Sequence, residues 1–78
     1  MRHTVKMPRA GETAEVVVIL EWLVEPGSRI AAGDPLVTVE TDKVSVDIAA
    51  PVGGTLVELL AQPDDEVPIG SPICVIES

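Results

Sequence analysis

The second half of this 78-residue chain repeats the first half at an offset of 37 positions. Residues 21–41 and 58–78 share six identical pairs: Glu21 and Glu58, Leu23 and Leu60, Pro26 and Pro63, Gly33 and Gly70, Pro35 and Pro72, and Glu40 and Glu77. Pro and Gly mark turns, so the two halves turn at equivalent places. A duplicated four-strand unit predicts an all-β domain. Its two four-stranded antiparallel sheets are related by a pseudo-two-fold axis and pack as a flattened β-barrel or sandwich.

The composition supports a core made of strands. Apolar residues make up 46% of the chain and Trp22 is its one aromatic residue, so the core is built from Val, Ile, Leu and Ala. The first two favour pleated surfaces. Strands separated by turn residues are predicted at 3–7, 15–24, 29–31, 36–42, 44–50, 54–61, 66–68 and 72–77. A chain of this length forms one small domain, with no room for an enzyme cleft beside a scaffold.

The charge balance narrows the possible partners. The chain has 13 acidic and 5 basic residues, a formal net charge of −8. This charge disfavours binding to nucleic acid or to anionic membranes and favours basic partner surfaces. No apolar run is long enough to cross a bilayer, and the N-terminus lacks the apolar core of a signal peptide. We expect a cytoplasmic bacterial location, or the mitochondrial matrix in a eukaryote.

Several residues that could carry chemistry receive structural interpretations instead. Cys74 is the only cysteine, which excludes an internal disulfide and a cysteine zinc site, and the repeat aligns it with Val37 as a small buried hydrophobe. His3 has no clustered ligands, so neither a metal site nor a catalytic residue is predicted. Residues 64–66 are expected to form a solvated acidic turn. Trp22 is expected to pack against the core rather than to contact a partner.

Lys43 lies in a predicted hairpin between two segments of alternating apolar residues. A solvated turn lysine is the ordinary explanation, but two-residue hairpins usually use Asn-Gly or Asp-Gly. The acidic neighbours Glu40, Asp42 and Asp47 favour a protonated ammonium group, which argues against a nucleophilic or Schiff-base lysine. A lysine displayed on a hairpin without acid–base work is suited to covalent modification by another enzyme.

Three stretches resemble the lipoyl domain of dihydrolipoamide acyltransferases, the acyltransferase components of 2-oxoacid dehydrogenase complexes. They are MPRAGET at 7–13, EWLVEPGSRIAAGDPLVTVETDKVSVDIAAP at 21–51 and GTLVELL at 54–60. The resemblance implies a barrel-sandwich hybrid fold with the lysine at a β-turn. It also implies that Lys43, in the Thr-Asp-Lys-Val motif, carries lipoate in amide linkage. The implied recognition context around this lysine consists of Glu40, Thr41, Asp42, Val44 and Gly54.

The same resemblance implies a carrier rather than a catalyst. A thiamine-diphosphate 2-oxoacid decarboxylase would reductively acylate the lipoyl arm, and the acyl group would pass to CoA at an acyltransferase core. Dihydrolipoamide dehydrogenase would reoxidise the dithiol, and a lipoate ligase or transferase would load the lysine. Residues 1–78 would then be a single lipoyl domain, monomeric in isolation, from a longer multidomain chain that is oligomeric.

The chain departs from the family pattern at two places. Val17 and Val18 precede Ile19 where the family has a Gly-Thr pair, and Ser28 follows Pro-Gly where the family has Asp. Both changes concern local strand and turn details rather than the lysine motif. The resemblance further implies that the loop 9–15 lies near the lysine and helps the decarboxylase to recognise its carrier. The segment AEVVVILEW resembles branched-chain members of the family.

Two alternatives remain open from the sequence. A biotinyl carrier domain has the same fold but presents its lysine between two methionines, whereas Asp42 and Val44 flank Lys43 and the only methionines are Met1 and Met7. The other alternative is a non-carrier β-sandwich that binds a partner through its acidic hairpin. The mass of the modified protein distinguishes all three classes.

Overall fold

The computed structural model describes residues 1–8, 15–41 and 44–78, which form eight β-strands. The strands are β1 (Arg2–Lys6), β2 (Val16–Trp22), β3 (Arg29–Ile30), β4 (Pro35–Thr41), β5 (Val44–Ala49), β6 (Gly54–Leu59), β7 (Glu66–Pro68) and β8 (Pro72–Glu77). Each predicted strand is present, with its ends shifted by no more than two residues. Within the described ranges, no helix is long and apolar enough to span a membrane.

The strands form two four-stranded antiparallel sheets, which confirms the predicted fold class. Sheet A has the order β1-β8-β6-β3 and sheet B the order β5-β4-β2-β7. The inward-facing side chains of both sheets form a single apolar core. Alternation along each strand produces this arrangement, because successive side chains point to opposite faces of a sheet.

The backbone hydrogen bonds follow the predicted pseudo-two-fold relation. The bond from Leu23 N to Leu36 O has its counterpart in the bond from Leu60 N to Ile73 O. Likewise, the bond from Gly33 N to Ala50 O corresponds to the bond from Gly70 N to Met7 O. All four are 2.8 to 2.9 Å long. The second pair of bonds shows that β1 is the counterpart of β5, although these two strands lie outside the sequence repeat. The N-terminal strand therefore completes the second four-strand unit.

Two equivalent β-bulges adjust what each sheet buries. The register shifts between Pro35 and Val37 on β4, and at the matching place on β8, where Ile73 is the extra residue. A bulge places two residues of one strand opposite one of its partner. Leu36 and Val37 are consequently both fully buried, as are Ile73 and Cys74, although strict alternation would expose one of each.

Trp22 packs across the two halves of the domain. Its side chain lies against the core, and its indole Nε1 donates a hydrogen bond to the carbonyl oxygen of Ala61 at 2.9 Å. The polar atom of the half-buried ring is thereby satisfied, as buried indoles require. The prediction that Trp22 serves packing is confirmed.

Cys74 behaves as the small buried hydrophobe that the repeat predicts. It is fully buried and free, and burial raises the pKa of its thiol from 9.0 to about 11.

Above pH 9 the unfolded thiol ionises while the folded one keeps its proton, so the free energy of unfolding falls as pH rises. The loss is about 2 kcal/mol at pH 11. Urea unfolding between pH 8 and pH 11 measures it. Cys74→Ala should show a shallower decline, and equal slopes would contradict this assignment.

The barrel has two distinct ends. Thr41 and Val44 pair at one of them, which we call the hairpin end. From Val44, β5 runs six residues, roughly 20 Å, before a short connection enters β6 at Gly54. Gly54 lies beside the C-terminus of β8. There the backbones of Met1 and Ser78 exchange two hydrogen bonds, at 2.7 and 2.9 Å. We call this the terminal end.

Candidate functional site

The β4–β5 hairpin holds the candidate site at the hairpin end. From Val37 to Thr41 on β4, each residue pairs with one on β5, ending with Thr41 opposite Val44. Two residues, Asp42 and Lys43, connect this last pair in the sequence. Both lie outside the described residues, so the predicted position of Lys43 at the turn stays a prediction. The register of the strands that lead to it is confirmed.

The burial pattern of the hairpin fixes which way its last residues face. Val39 and Thr41 are buried with 0% and 3% of their surface exposed, whereas Glu40 between them is exposed. Slipping by one residue would turn Glu40 into the core, which is why a half-buried strand specifies its register strongly. Thr38 adds a cross-strand bond, since its hydroxyl donates to a carboxylate oxygen of Asp47 at 2.8 Å. The positions of the two strands that lead into the connection are therefore well determined.

The described residues on either side of the loop 9–14 also lie at the hairpin end. Met7 N donates to Ser71 O at 2.8 Å, and Ile69 N donates to Glu15 O at 2.9 Å. Val16, next to Glu15, lies two residues along β2 beyond Val18, the partner of Glu40. The described residues that flank this loop are therefore at the same end of the barrel as the hairpin, while the implied position of the loop near the lysine stays a prediction. Residues 9–14 themselves lie outside the described residues.

Of the four predicted recognition residues that the structure describes, Gly54 is the one that does not lie at the hairpin. It lies at the terminal end with a φ of +151°, and a Cβ atom added there would lie 2.9 Å from the carbonyl carbon of Glu77. A side chain at position 54 would thus collide with the backbone of β8. The structural reason for glycine is this close approach of two strands, so the described contacts give Gly54 a role in the fold.

The surroundings of the hairpin are acidic and open. Glu40 and Asp47 are exposed, and the side chain of Val44 is 54% exposed. Neither methionine is exposed beside the hairpin, because Met7 is buried in the core and Met1 is at the terminal end. Among the described residues there is neither a cavity for a small substrate nor a group of His, Cys, Asp and Glu that could hold a metal ion.

His3 and Asp65 make hydrogen bonds within the domain. The His3 ring is 2.9 Å from the Ser78 hydroxyl at the terminal end. The acidic turn is solvent-exposed as predicted, with Asp64 at a φ of +73°. The Asp65 carboxylate accepts a bond from Gln62 N at 2.9 Å.

The outward face of β2 carries exposed apolar side chains that the sequence did not single out. Residues 15–24 form the longest apolar stretch and were predicted to be one long strand, and within this strand Val16 and Leu20 are 47% and 39% exposed. A bulge between Ile19 and Glu21 contributes, because it leaves both Leu20 and Glu21 facing solvent. In the sequence, the acidic residues beside this apolar stretch were the feature that could have indicated an exposed face.

Comparison with known proteins agrees with this geometry. The Biotin_lipoyl family model, described as "Biotin-requiring enzyme", matches residues 3–76. The chain is 43% identical over 72 residues, 92% of its length, to the acetyltransferase component of the pyruvate dehydrogenase complex of Corynebacterium glutamicum. It is 36% identical over 72 residues, again 92%, to the branched-chain lipoamide acyltransferase component of Bacillus subtilis. The chain spans 11% and 17% of these two relatives.

Two solved structures share the fold. The solution structure of the lipoyl domain of the Azotobacter vinelandii 2-oxoglutarate dehydrogenase complex superposes with a TM-score of 0.76 at 24% identity, covering 96% of this chain and 95% of that one. A single-chain, multi-domain long-chain acyl-CoA carboxylase superposes with a TM-score of 0.75 at 25% identity, covering 95% of this chain and 7% of that one.

The chain belongs to the biotin/lipoyl domain family, the class to which the barrel of two pseudo-symmetric sheets and the hairpin motif point. This membership confirms the resemblance stated from the sequence and the prediction of a carrier-type domain. The two curated relatives above are named as a dihydrolipoyllysine-residue acetyltransferase component and a lipoamide acyltransferase component.

Proposed function

We propose that this chain is a lipoyl carrier domain in which Lys43 holds lipoate in amide linkage. The observation that supports this most directly is the pairing of Thr41 with Val44, which leaves only Asp42 and Lys43 to connect two fully registered strands. Family membership and the acyltransferase relatives point the same way. The parent protein would be the dihydrolipoamide acyltransferase component of a 2-oxoacid dehydrogenase complex.

The described surroundings fit such a group. Thr41 is buried and fixes the end of β4, while Glu40 and Val44 face solvent on either side of the connection. The proposed attachment position is therefore flanked on both strands by solvent-exposed residues. When bound, lipoate supplies a dithiolane that takes up an acyl group with reduction and releases it to CoA. Amide formation on the Lys43 amine removes one positive charge, so the formal net charge falls from −8 to −9.

The contribution of the protein is tethering rather than chemistry. A domain that holds a reactive arm on an exposed hairpin replaces free diffusion of an intermediate by a high effective concentration at each active site. The proposed partners are a thiamine-diphosphate 2-oxoacid decarboxylase, dihydrolipoamide dehydrogenase and a lipoate ligase or transferase. Glu40, Thr41, Asp42 and Val44 are the proposed recognition residues beside Lys43.

The proposal extends to 2-oxoacids as a class. Relatives at comparable identity belong to pyruvate, branched-chain and 2-oxoglutarate dehydrogenase complexes, with 39% identity to the 2-oxoglutarate relative from Staphylococcus saprophyticus. The likeness of AEVVVILEW to branched-chain members therefore stays a prediction. Reductive acylation assays with decarboxylases of each kind identify the substrate, and the cytoplasmic or matrix location is proposed together with this function.

The central test is the mass of the protein after co-expression with a lipoate ligase. We expect wild type to gain one lipoyl increment and Lys43→Arg to gain none, because the guanidinium group keeps the charge but offers no acylable amine. Lys6→Arg is the matched control, since it alters the only other lysine, and it should be modified like wild type. A lipoyl increment that persists in Lys43→Arg would contradict the proposal.

A biotinyl carrier is the second candidate, because a carboxylase shares the fold at a similar TM-score. Co-expression with a biotin ligase in place of the lipoate ligase tests it. We expect no biotin increment, since Asp42 and Val44 rather than methionines flank Lys43. A biotin increment without a lipoyl one would establish this second candidate instead.

A further inference from the structure

The two sheets share a backbone plan but carry opposite charge. The strands of sheet B contain four acidic residues and no basic one: Glu21, Glu40, Asp47 and Glu66. The strands of sheet A contain three basic residues and two acidic ones: Arg2, Lys6, Arg29, Glu58 and Glu77. All nine residues are exposed. The negative charge of the described strands is therefore concentrated on the outer face of sheet B.

The fold itself does not require this asymmetry. The repeat places Glu66 of sheet B at the position of Arg29 in sheet A, both on short edge strands with the same burial. Glu40 corresponds to Glu77, which is paired with Arg2 at 3.5 Å. On β5, the position equivalent to Arg2 is Ser45, so Glu40 faces a neutral partner across the strands. Equivalent backbone positions thus tolerate either sign of charge.

The acidic residues flank an exposed apolar strip. Val18 pairs with both Glu40 and Glu66, so these three side chains share one row on the outer face. Val16 and Leu20, two positions to either side along β2, are 47% and 39% exposed. Apolar side chains ringed by like charges match a partner surface that is apolar at its centre and basic at its rim.

This surface continues from the attachment hairpin. Val16 lies at the hairpin end, two residues along β2 beyond Val18, and the strip runs from there along β2 through Leu20. A partner that covers the strip consequently also faces the β4–β5 connection. We define the sheet B face as the outer surface of Val16, Val18, Leu20, Glu21, Glu40 and Glu66.

We propose that the sheet B face is the docking surface for a basic, partly apolar surface beside the active-site entrance of the 2-oxoacid decarboxylase. This inference rests on the proposed function. The decarboxylase has to meet the carrier in every turnover, and complementary charge raises the rate of such encounters. Two acidic faces repel each other, so a second copy of this chain does not fit the same surface.

The pseudo-symmetry supplies a matched pair of variants for the test. Glu21 and Glu58 occupy equivalent exposed positions, each following the extra residue of a bulge, but they lie on different sheets. Glu21→Lys and Glu58→Lys change the net charge by the same amount. Each variant is lipoylated, its loading is verified by mass, and its reductive acylation is measured with the decarboxylase that acylates wild type fastest among pyruvate and branched-chain enzymes.

We expect Glu21→Lys to lower kcat/KM about tenfold through KM, and Glu58→Lys to lower it by less than about twofold. The difference should shrink at roughly 0.5 M salt, where exposed charges are screened. Leu20→Ser should raise KM at every salt concentration, because its contribution is apolar. If both Glu variants are loaded and acylated like wild type, or are impaired equally, the docking surface is wrong while the carrier function stands. If Lys43 accepts no lipoate, the carrier function fails first.

Discussion

Gly54→Ala is expected to destabilise the domain by at least about 4 kcal/mol, a large part of the stability available to a chain of this size. The added Cβ would lie 2.9 Å from the carbonyl carbon of Glu77 and closer still to its oxygen. Glu77 is on β8, a central strand of sheet A, so its backbone cannot move away without breaking hydrogen bonds to both neighbouring strands. The φ of +151° adds strain, since residues with a side chain rarely adopt it.

Gly33→Ala tests the effect of backbone strain without a steric collision of the added Cβ atom. Gly33 has a φ of +93°, but a Cβ added there meets nothing within 4 Å. We expect this variant to lose only about 1 to 2 kcal/mol, the cost of a left-handed backbone for an L-residue. Urea unfolding followed by the fluorescence of Trp22, the only tryptophan, measures both variants. Equal losses would show that the close approach of β6 to β8 is not what requires glycine at position 54.

Leu36→Ala is expected to lower the free energy of unfolding by about 2 to 5 kcal/mol, the usual range for truncating a fully buried aliphatic side chain. Leu36 is 0% exposed, and a bulge points both it and its neighbour Val37 into the core. The core contacts both sheets, so a cavity at this position weakens the packing between them. Urea unfolding compares the midpoint and slope of the variant with those of wild type.

Ile73→Ala is the matched comparison, because Ile73 occupies the equivalent bulge of sheet A and is equally buried. If the pseudo-two-fold relation extends from backbone to energetics, the two losses should agree within about 1 kcal/mol. A larger difference would mean that one half of the core relaxes around the cavity better than the other.

The repeat was sufficient to predict the architecture. Because Pro26 and Pro63, and Gly33 and Gly70, fall at equivalent places, the turns of one half specify those of the other. Alternating apolar residues then located the β4–β5 strands and the register that leads to Lys43. Cys74 was placed correctly for the same reason, through its alignment with Val37.

Other features depend on contacts that no local pattern records. The bulges at Leu36 and Ile73 bury consecutive residues, and strict alternation does not anticipate them. The role of Gly54 arises from β8, which is distant in sequence. The charge difference between the sheets emerges only when strand order is known, since Glu40 and Glu66 become neighbours of Val18 through tertiary pairing.

The hydrogen bonds between Met1 and Ser78 make the chain almost a closed ring. These two residues occupy, in sheet A, the place that Val44 and Thr41 occupy in sheet B, where two residues suffice as a connection. A comparably short peptide linking Ser78 to Met1 would therefore give a circular protein with two equivalent hairpins, one at each end. New termini could then be opened at another turn, such as that around Gly33. A protein fused to these new termini would be attached at a different part of the barrel while the β4–β5 hairpin stayed intact.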